Sequence, residues 1–324
     1  MVNKEVLIPD DAITQNLRGR SFLKLEDFSP QELIRFFEVA RNLKEAQKAG
    51  QPHPLLAGKS LAMIFRKTST RTRVSFEVGI YQLGGQALYL NSDDIQLGRG
   101  ESVYDTAMVL SRYVDGIMIR TFQQAEVEQL AQHATVPVIN GLTDYCHPCQ
   151  VLSDLFTVQE KRGCLRGLKL TYVGDGNNMA HSLLIGCSKL GMDVCIAHPP
   201  GYAPLPETVA KAKALAEASD SAVELTTDPV AGVTGADIIY TDVWTSMGQE
   251  AEEEQRIQAF GQYQVNSALL KHAKPDAVVM HCLPANRGQE ITDEVMDGPQ
   301  SIVFDQAENR LHVQKAIMAL LMGE

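Results

Sequence analysis

This sequence predicts an α/β protein of two doubly wound parallel-sheet domains, and three observations carry the prediction. The chain has 324 residues, beyond the roughly 250–300 that one hydrophobic core usually organises. Short apolar runs of strand length alternate with segments of helical periodicity, which is the pattern of a parallel sheet covered on both faces. That alternation comes as two series, joined near residues 150–165, so domains are expected at 1–150 and 151–307, with a terminal helix at 308–324.

The first helix is written out most explicitly. In SPQELIRFFEVARNLKEAQKAG, Ser29 is the N-cap, Pro30 takes the first helical position and Glu32 completes a capping box. Leu33, Phe36, Phe37, Ala40 and Leu43 then recur on one face until Gly50 ends the run. The first series follows as SLAMIF, a helix from about Arg73, GQALYL, a helix from about Ser102, GIMIR, a helix over 124–132, and VPVIN. A helical stretch at 150–162 leads to the second series, LKLTYVG, DVCIAH, ADIIYTD, DAVVMHCL and SIVFD, each read as a strand. AENRLHVQKAIMALLMGE, with Leu311, Ile317, Met318 and Leu320 to bury, closes the chain as a helix whose docking periodicity leaves open.

Composition narrows the function. With 29 basic against 40 acidic residues the net charge is -11, so the surface repels nucleic acid and anionic lipid. The N-terminus has no apolar signal core and no segment approaches the roughly 20 apolar residues of a membrane span. Six cysteines are too sparse for a disulfide scaffold and suit a reducing compartment. A cytoplasmic protein with no nucleic-acid or membrane partner is expected.

Ligands of doubly wound sheets bind beyond the carboxyl ends of the strands. The segments there are 66–73, Arg120, 140–150, 174–178, 242–248 and 281–285. FRKTSTRTR, residues 65–73, sets Arg66, Lys67, Arg71 and Arg73 among four hydroxyls at a strand-to-helix junction. Helix-terminal N–H groups, hydroxyls and guanidiniums converging there suit a phosphate. The glycines and Gly-Lys-Ser/Thr of a nucleotide P-loop are absent. The plainer alternative is a solvated basic turn.

STRTR, Arg120, HPCQ at 147–150, DVWTSMG at 242–248 and HCLPA at 281–285, in this order, closely resemble the carbamoyltransferase family. The Ser-Met-Gly and His-Cys-Leu-Pro elements resemble its ornithine branch, and the likeness runs from about residue 17 to the end. The resemblance implies transfer of the carbamoyl group of carbamoyl phosphate to the side-chain amine of L-ornithine, a step of arginine metabolism, with no cofactor or metal. It implies that Ser69, Thr70, Arg71 and Thr72 hold the phosphate, with Arg310 near it, so that the terminal helix returns to the first domain. Arg120 and His147 would reach the carbonyl oxygen, Gln150 the carbamoyl end, and the carbonyls of Cys282 and Leu283 the carbamoyl NH2. Asp242, Cys282, Asn178, Ser246 and Met247 would grip ornithine, and Cys282 is a candidate for relaying the amine proton, as is the departing phosphate. The family is built as trimers or higher multiples in which Gln96 comes from a neighbouring subunit, and the active site is expected in the cleft between the two domains. The segment 245–263 would close as a lid.

Other readings weigh against these residues. Cys146 and Cys149 form a C-x-x-C that superficially suits thiol–disulfide exchange, but it lies mid-chain. Cys146, His147, Cys149, His281 and Cys282 lack the paired spacing of a zinc site. VGDGNNM resembles a dinucleotide fingerprint, but Met179 stands where a third Gly or Ala belongs and His198 where an acid would bind ribose; a nicotinamide-dependent dehydrogenase is the distant alternative. Within the family, the aspartate, acetylornithine and putrescine enzymes are the competitors. His53, His133, His181, His198, His272 and His312 read as surface or satisfied core residues, and Trp244 as packing under the lid.

Overall fold

The computed structural model describes residues 4–92 and 94–323. Its strands are Ser60–Phe65 (β1), Gln86–Asn91 (β2), Gly116–Arg120 (β3), Val138–Leu142 (β4), Lys169–Val173 (β5), Asp193–Ala197 (β6), Val223–Thr226 (β7), Ile238–Thr241 (β8) and Val278–His281 (β9). They form two wholly parallel sheets, ordered β2-β1-β3-β4 and β7-β6-β5-β8-β9. The helices are Lys4–Leu7 (α1), Ala12–Leu17 (α2), Pro30–Lys48 (α3), Thr70–Gln82 (α4), Val103–Leu110 (α5), Gln124–His133 (α6), Pro148–Arg162 (α7), Asn178–Lys189 (α8), Pro206–Ser219 (α9), Pro229–Val233 (α10), Glu253–Phe260 (α11), Ser267–Leu270 (α12), Asp293–Met296 (α13) and Val303–Met322 (α14). Two compact units result, one of residues 1–156 with 309–324 and one of 157–308. No described helix is long and apolar enough to cross a membrane.

Burial explains which strands the sequence announces. The central strand β3 is buried at every position, and β1 from Leu61 onward, so both read as continuous apolar runs. In the first unit Ala62, Ile64, Ile117, Ile119 and Val138 from the sheet pack with Ala107, Val127 and Leu130 from α5 and α6. In the second, Val173, Ile239 and Val279 pack with Val265, Ile291 and Val303. The edge strand β7, sequence VELT, keeps its two middle residues exposed and has no apolar run, so no strand was expected there.

Two expectations are corrected. SIVFD is not a strand: Ser301 makes one isolated bridge to Val279, and α14 begins at Val303. Three apolar residues in a row serve equally as the start of a helix, and the backbone bonds from Val279 N–H to Gln300 and from Ile302 N–H to Val279 end the pairing there. Helix α4 starts at Thr70, not near Arg73, because Ser69 caps it. The capping box at Ser29 and Glu32 forms as expected, and Arg20 and Asn16 add further bonds to the Glu32 carboxylate.

Helix α14 docks in the first unit through a buried lysine. The Lys315 ammonium donates to Gln47 Oε1 at 2.7 Å and Gln82 Oε1 at 2.9 Å, and lies 3.0 Å from His53 Nε2. His53 Nδ1 is 2.8 Å from the Gln51 carbonyl, so Nδ1 carries the proton and Nε2 accepts from the lysine. Burial holds the Lys315 pKa down to about 8 from 10.5. Between those values the unfolded chain keeps a proton that the folded chain has shed, so stability rises with pH across that window. Urea unfolding at pH 7.5 and pH 10 should show a gain on the order of 2 kcal/mol from this group, and Lys315→Met should flatten it.

Candidate active site

In the first unit, Ser69 Oγ accepts the Thr72 N–H at 3.2 Å and donates to Thr72 Oγ1 at 3.1 Å. This cap fixes the first turn of α4, where Thr70, Arg71 and Thr72 present the positive end of the helix dipole. Thr72 is fully buried, and its hydroxyl also accepts from Arg310 of α14 at 3.0 Å. Arg120 ends β3 at a register shift against β4, the irregularity that re-aims a side chain, and its carbonyl takes the Arg66 N–H at 2.8 Å.

His147, buried just before α7, reports how these charges converge. Burial, and then the guanidiniums of Arg310, Arg120 and Arg71, push its pKa well below 6.5, so the imidazole is neutral. Gln150, in the first turn of α7, donates to the buried Asp154 carboxylate at 2.8 Å, while its own Oε1 is buried with no hydrogen-bond partner among the described residues. Three guanidiniums around a neutral N–H donor and hydroxyls make a receptor for a small dianion bearing a carbonyl.

The structure divides the cations of 65–73. Arg66 bonds Glu126 at 2.7 Å, and Glu126 also takes the Thr121 hydroxyl. Lys67 pairs with Asp144 and lies 4.4 Å over the Phe122 ring. Arg73 covers Tyr89 at 3.7 Å and reaches Glu77. Arg71 alone of these four acts on His147; the other three brace the loop, a division that net composition could not show.

In the second unit, β5, β8 and β9 are neighbours, so the segments after them are brought together. Asp242 Oδ1 accepts the Cys282 thiol at 2.9 Å and the Val243 N–H at 2.8 Å. Asn178 opens α8 behind the cap Asn177, whose side chain accepts from Met179 and Ala180. Ser246 exchanges bonds with Gln249, its N–H donating to Oε1 at 3.1 Å and its carbonyl accepting at 3.0 Å, and Met247 is exposed. Gln96 begins a single 3-10 turn after β2 and is exposed.

Sequence reasoning missed the residues that hold this end. Arg256 of α11 donates to Asp175 at 2.8 Å and to the Trp244 carbonyl at 2.9 Å, and pairs with Glu252 at 3.0 Å. It thereby ties the segment after β8 to the loop after β5, and Trp244 in the former stacks on Phe260. Burial raises the Asp175 pKa, opposed by Arg256 and aided by the nearby Asp242 charge. Tyr172 is pushed up by burial and then by Asp242, Asp175 and Cys282. Asp175 lies inside VGDGNNM, whereas Arg256 carries no local sequence signal.

The competing readings meet physical objections. Burial pushes the Cys146 and Cys149 thiols up to about 12, opposite to the lowered pKa of a redox C-x-x-C. A Cβ on Gly176 would lie 2.2 Å from Pro204 N and 2.3 Å from the Ala203 carbonyl carbon. That glycine is required by the close approach of the backbone of residues 202–204, not by a ligand. Donor atoms of Asp242, His281 and Cys282 do lie within 4.8 Å of one another, but both His281 ring nitrogens are engaged by Leu283 and Glu290. Of the other histidines, His53, His181, His198 and His312 are buried, and His272 is exposed.

Comparison with known proteins finds relatives over nearly the whole chain. Residues 20–160 match the aspartate/ornithine carbamoyltransferase carbamoyl-P binding domain, and 166–321 the Asp/Orn binding domain of the same family. The chain is 59% identical over 308 residues to an ornithine carbamoyltransferase of Thermococcus kodakarensis, covering 95% of this chain and 98% of that one. It is 58% identical to the anabolic ornithine carbamoyltransferase of Pyrococcus furiosus, with the same coverage. The solved ornithine carbamoyltransferase structure from Pyrococcus furiosus superposes with a TM-score of 0.92 at 58% identity, covering 94% of this chain and 98% of that one. That from Gloeobacter violaceus gives 0.85 at 50%, covering 94% and 100%. Two parallel-sheet domains, a guanidinium-ringed anion receptor and an Asp–Cys pair on neighbouring strands thus occur in a chain that belongs to the aspartate/ornithine carbamoyltransferase family.

Proposed function

We propose that the protein transfers the carbamoyl group of carbamoyl phosphate to the side-chain amine of L-ornithine, giving L-citrulline and phosphate. The observation that carries this reading is the neutral His147 set among Arg71, Arg120 and Arg310. Ser69, Thr70, Arg71 and Thr72, with Arg310, hold the phosphate and stabilise it again as it leaves. Arg120 and His147 donate to the carbonyl oxygen as it gains negative charge, and Gln150 offers its free Oε1 to the carbamoyl end. The carbonyls of Cys282 and Leu283 accept the carbamoyl N–H groups. Asp242 takes the α-ammonium of ornithine beside Cys282, with Asn178, Ser246 and Met247 completing that end, and either Cys282 or the departing phosphate accepts the amine proton.

Assembly as a homotrimer or a multiple of it follows from the same reading. Val74, Val78 and Tyr81 form an exposed stripe on α4, and Leu88 of the edge strand β2 and Tyr104 and Val109 of α5 are exposed as well. A second copy of the chain covers this face and brings its Gln96 to the site. Six free thiols accord with a cytoplasmic location.

A colorimetric assay for the ureido product, offered ornithine, aspartate, acetylornithine and putrescine with carbamoyl phosphate, tests the reaction. Ornithine should be the preferred acceptor; preference for any of the others replaces this reading with that of the related enzyme. Asp242→Ala should weaken ornithine by ~10²–10³-fold, the size of losing one partner of a desolvated charge pair, and leave carbamoyl phosphate affinity in calorimetry unchanged.

A further inference from the structure

His281 and Glu290 stand behind the turn that follows β9, and neither is placed in the reaction above. Both side chains are fully buried. His281 Nδ1 accepts the Leu283 N–H at 2.8 Å, and Nε2 lies 3.1 Å from Glu290 Oε1. A nitrogen that accepts carries no hydrogen, so Nε2 bears the proton and the imidazole is a neutral donor to Glu290. Glu290 Oε1 also accepts the Asn286 N–H at 2.6 Å. The turn is therefore pinned at Leu283 by the imidazole and at Asn286 by the carboxylate that orients the imidazole.

Leu283 has φ +59°, a left-handed conformation that a non-glycine residue keeps only where its surroundings dictate it. The peptide joining Cys282 to Leu283 is trans, so its C=O points opposite its N–H. With that N–H held on the imidazole, the Cys282 carbonyl is turned away from the buried pair. The Cys282 thiol is meanwhile fixed on Asp242 at 2.9 Å.

We propose that His281, oriented by Glu290, is a positioning residue for substrate selectivity: it aims the Cys282 carbonyl at the amide nitrogen of the carbamoyl donor. This rests on the proposed function and names the device by which that site tells an amide from an isosteric methyl ketone. The phosphate grip in the other unit takes no part in it.

The test compares three stable ligands by calorimetry on the full-length protein: phosphonoacetamide, acetonylphosphonate, in which methyl replaces the amide nitrogen, and inorganic phosphate. The unsubstituted protein should favour the amide over the ketone by about tenfold or more, the worth of one or two hydrogen bonds. His281→Gln, whose amide nitrogen reaches toward Glu290 while the Leu283 bond is lost, should bring that ratio near one and leave phosphate affinity unchanged. His281→Asn, whose amide oxygen sits where Nδ1 was, should restore most of the preference. A wild-type ratio in His281→Gln, or loss of all three ligands together, overturns the positioning role. Should His281→Gln fail to fold, loss of the preference in a folded His281→Asn protein overturns it as well. No amide preference in the unsubstituted protein would instead sink the carbamoyl-donor reading, and this proposal with it.

Discussion

Arg71→Ala is expected to lower affinity for a carbamoyl phosphate analogue by ~10²–10⁴-fold in calorimetry, with ornithine-side binding intact. The size follows from what the side chain does. Arg66, Lys67 and Arg73 are committed to Glu126, Asp144 and the Tyr89 ring, so they do not replace it at the anion. A guanidinium can hold two phosphate oxygens at once, and losing one partner of such a desolvated charged contact typically removes 2–5 kcal/mol or more. Arg66→Ala should cost far less, because its partner Glu126 remains bonded to Thr121. Equal losses from the two substitutions would show that the loop acts as a diffuse basic patch rather than through one aimed arginine.

The division between Arg71 and its neighbours also shows how much the sequence could say. Both sheets were legible because their interior strands are buried on two faces, which leaves apolar runs such as SLAMIF and GIMIR. Strand β7 was not, because an edge strand with two exposed middle residues has no such run. SIVFD misled because a strand and the start of a helix can share the same composition over five residues. At the candidate site, topology marked the segments that follow strand ends, such as 242–248 and 281–285, and the family resemblance singled out residues such as Cys282 within them. Arg256, Glu290 and Asp154 were invisible, because each acts through a partner remote in sequence or through a side-chain bond that no spacing rule encodes. The four cations of 65–73 were visible as a group, but which one faces His147 depends on packing against Phe122, Tyr89 and Glu126.

His147 yields the second large effect. Its pKa lies well below 6.5 through burial and the charges of Arg310, Arg120 and Arg71, so at pH 6–9 it donates one N–H and holds no proton to give away. His147→Ala should therefore lower kcat by ~10²–10³-fold, the usual worth of one oxyanion donor, with little change in phosphate affinity. His147→Gln keeps an N–H donor and should recover part of the rate, which a proton-transferring histidine would not allow. The folded pKa is below the unfolded value, so the unfolded chain takes up the proton first as pH falls through 6.5. Stability from this group is then complete above about pH 7 and declines below 6.5. Nitrogen-detected NMR should show no titration of the His147 imidazole between pH 6 and 9 in the unsubstituted protein. In Arg71→Ala, with one of the three depressing charges removed, the titration should move upward toward 6.5 and draw an acid limb of kcat with it. An imidazole that already titrates near 6.5 before Arg71 is removed would mean that the guanidiniums do not converge on His147, and the oxyanion role would fall with them.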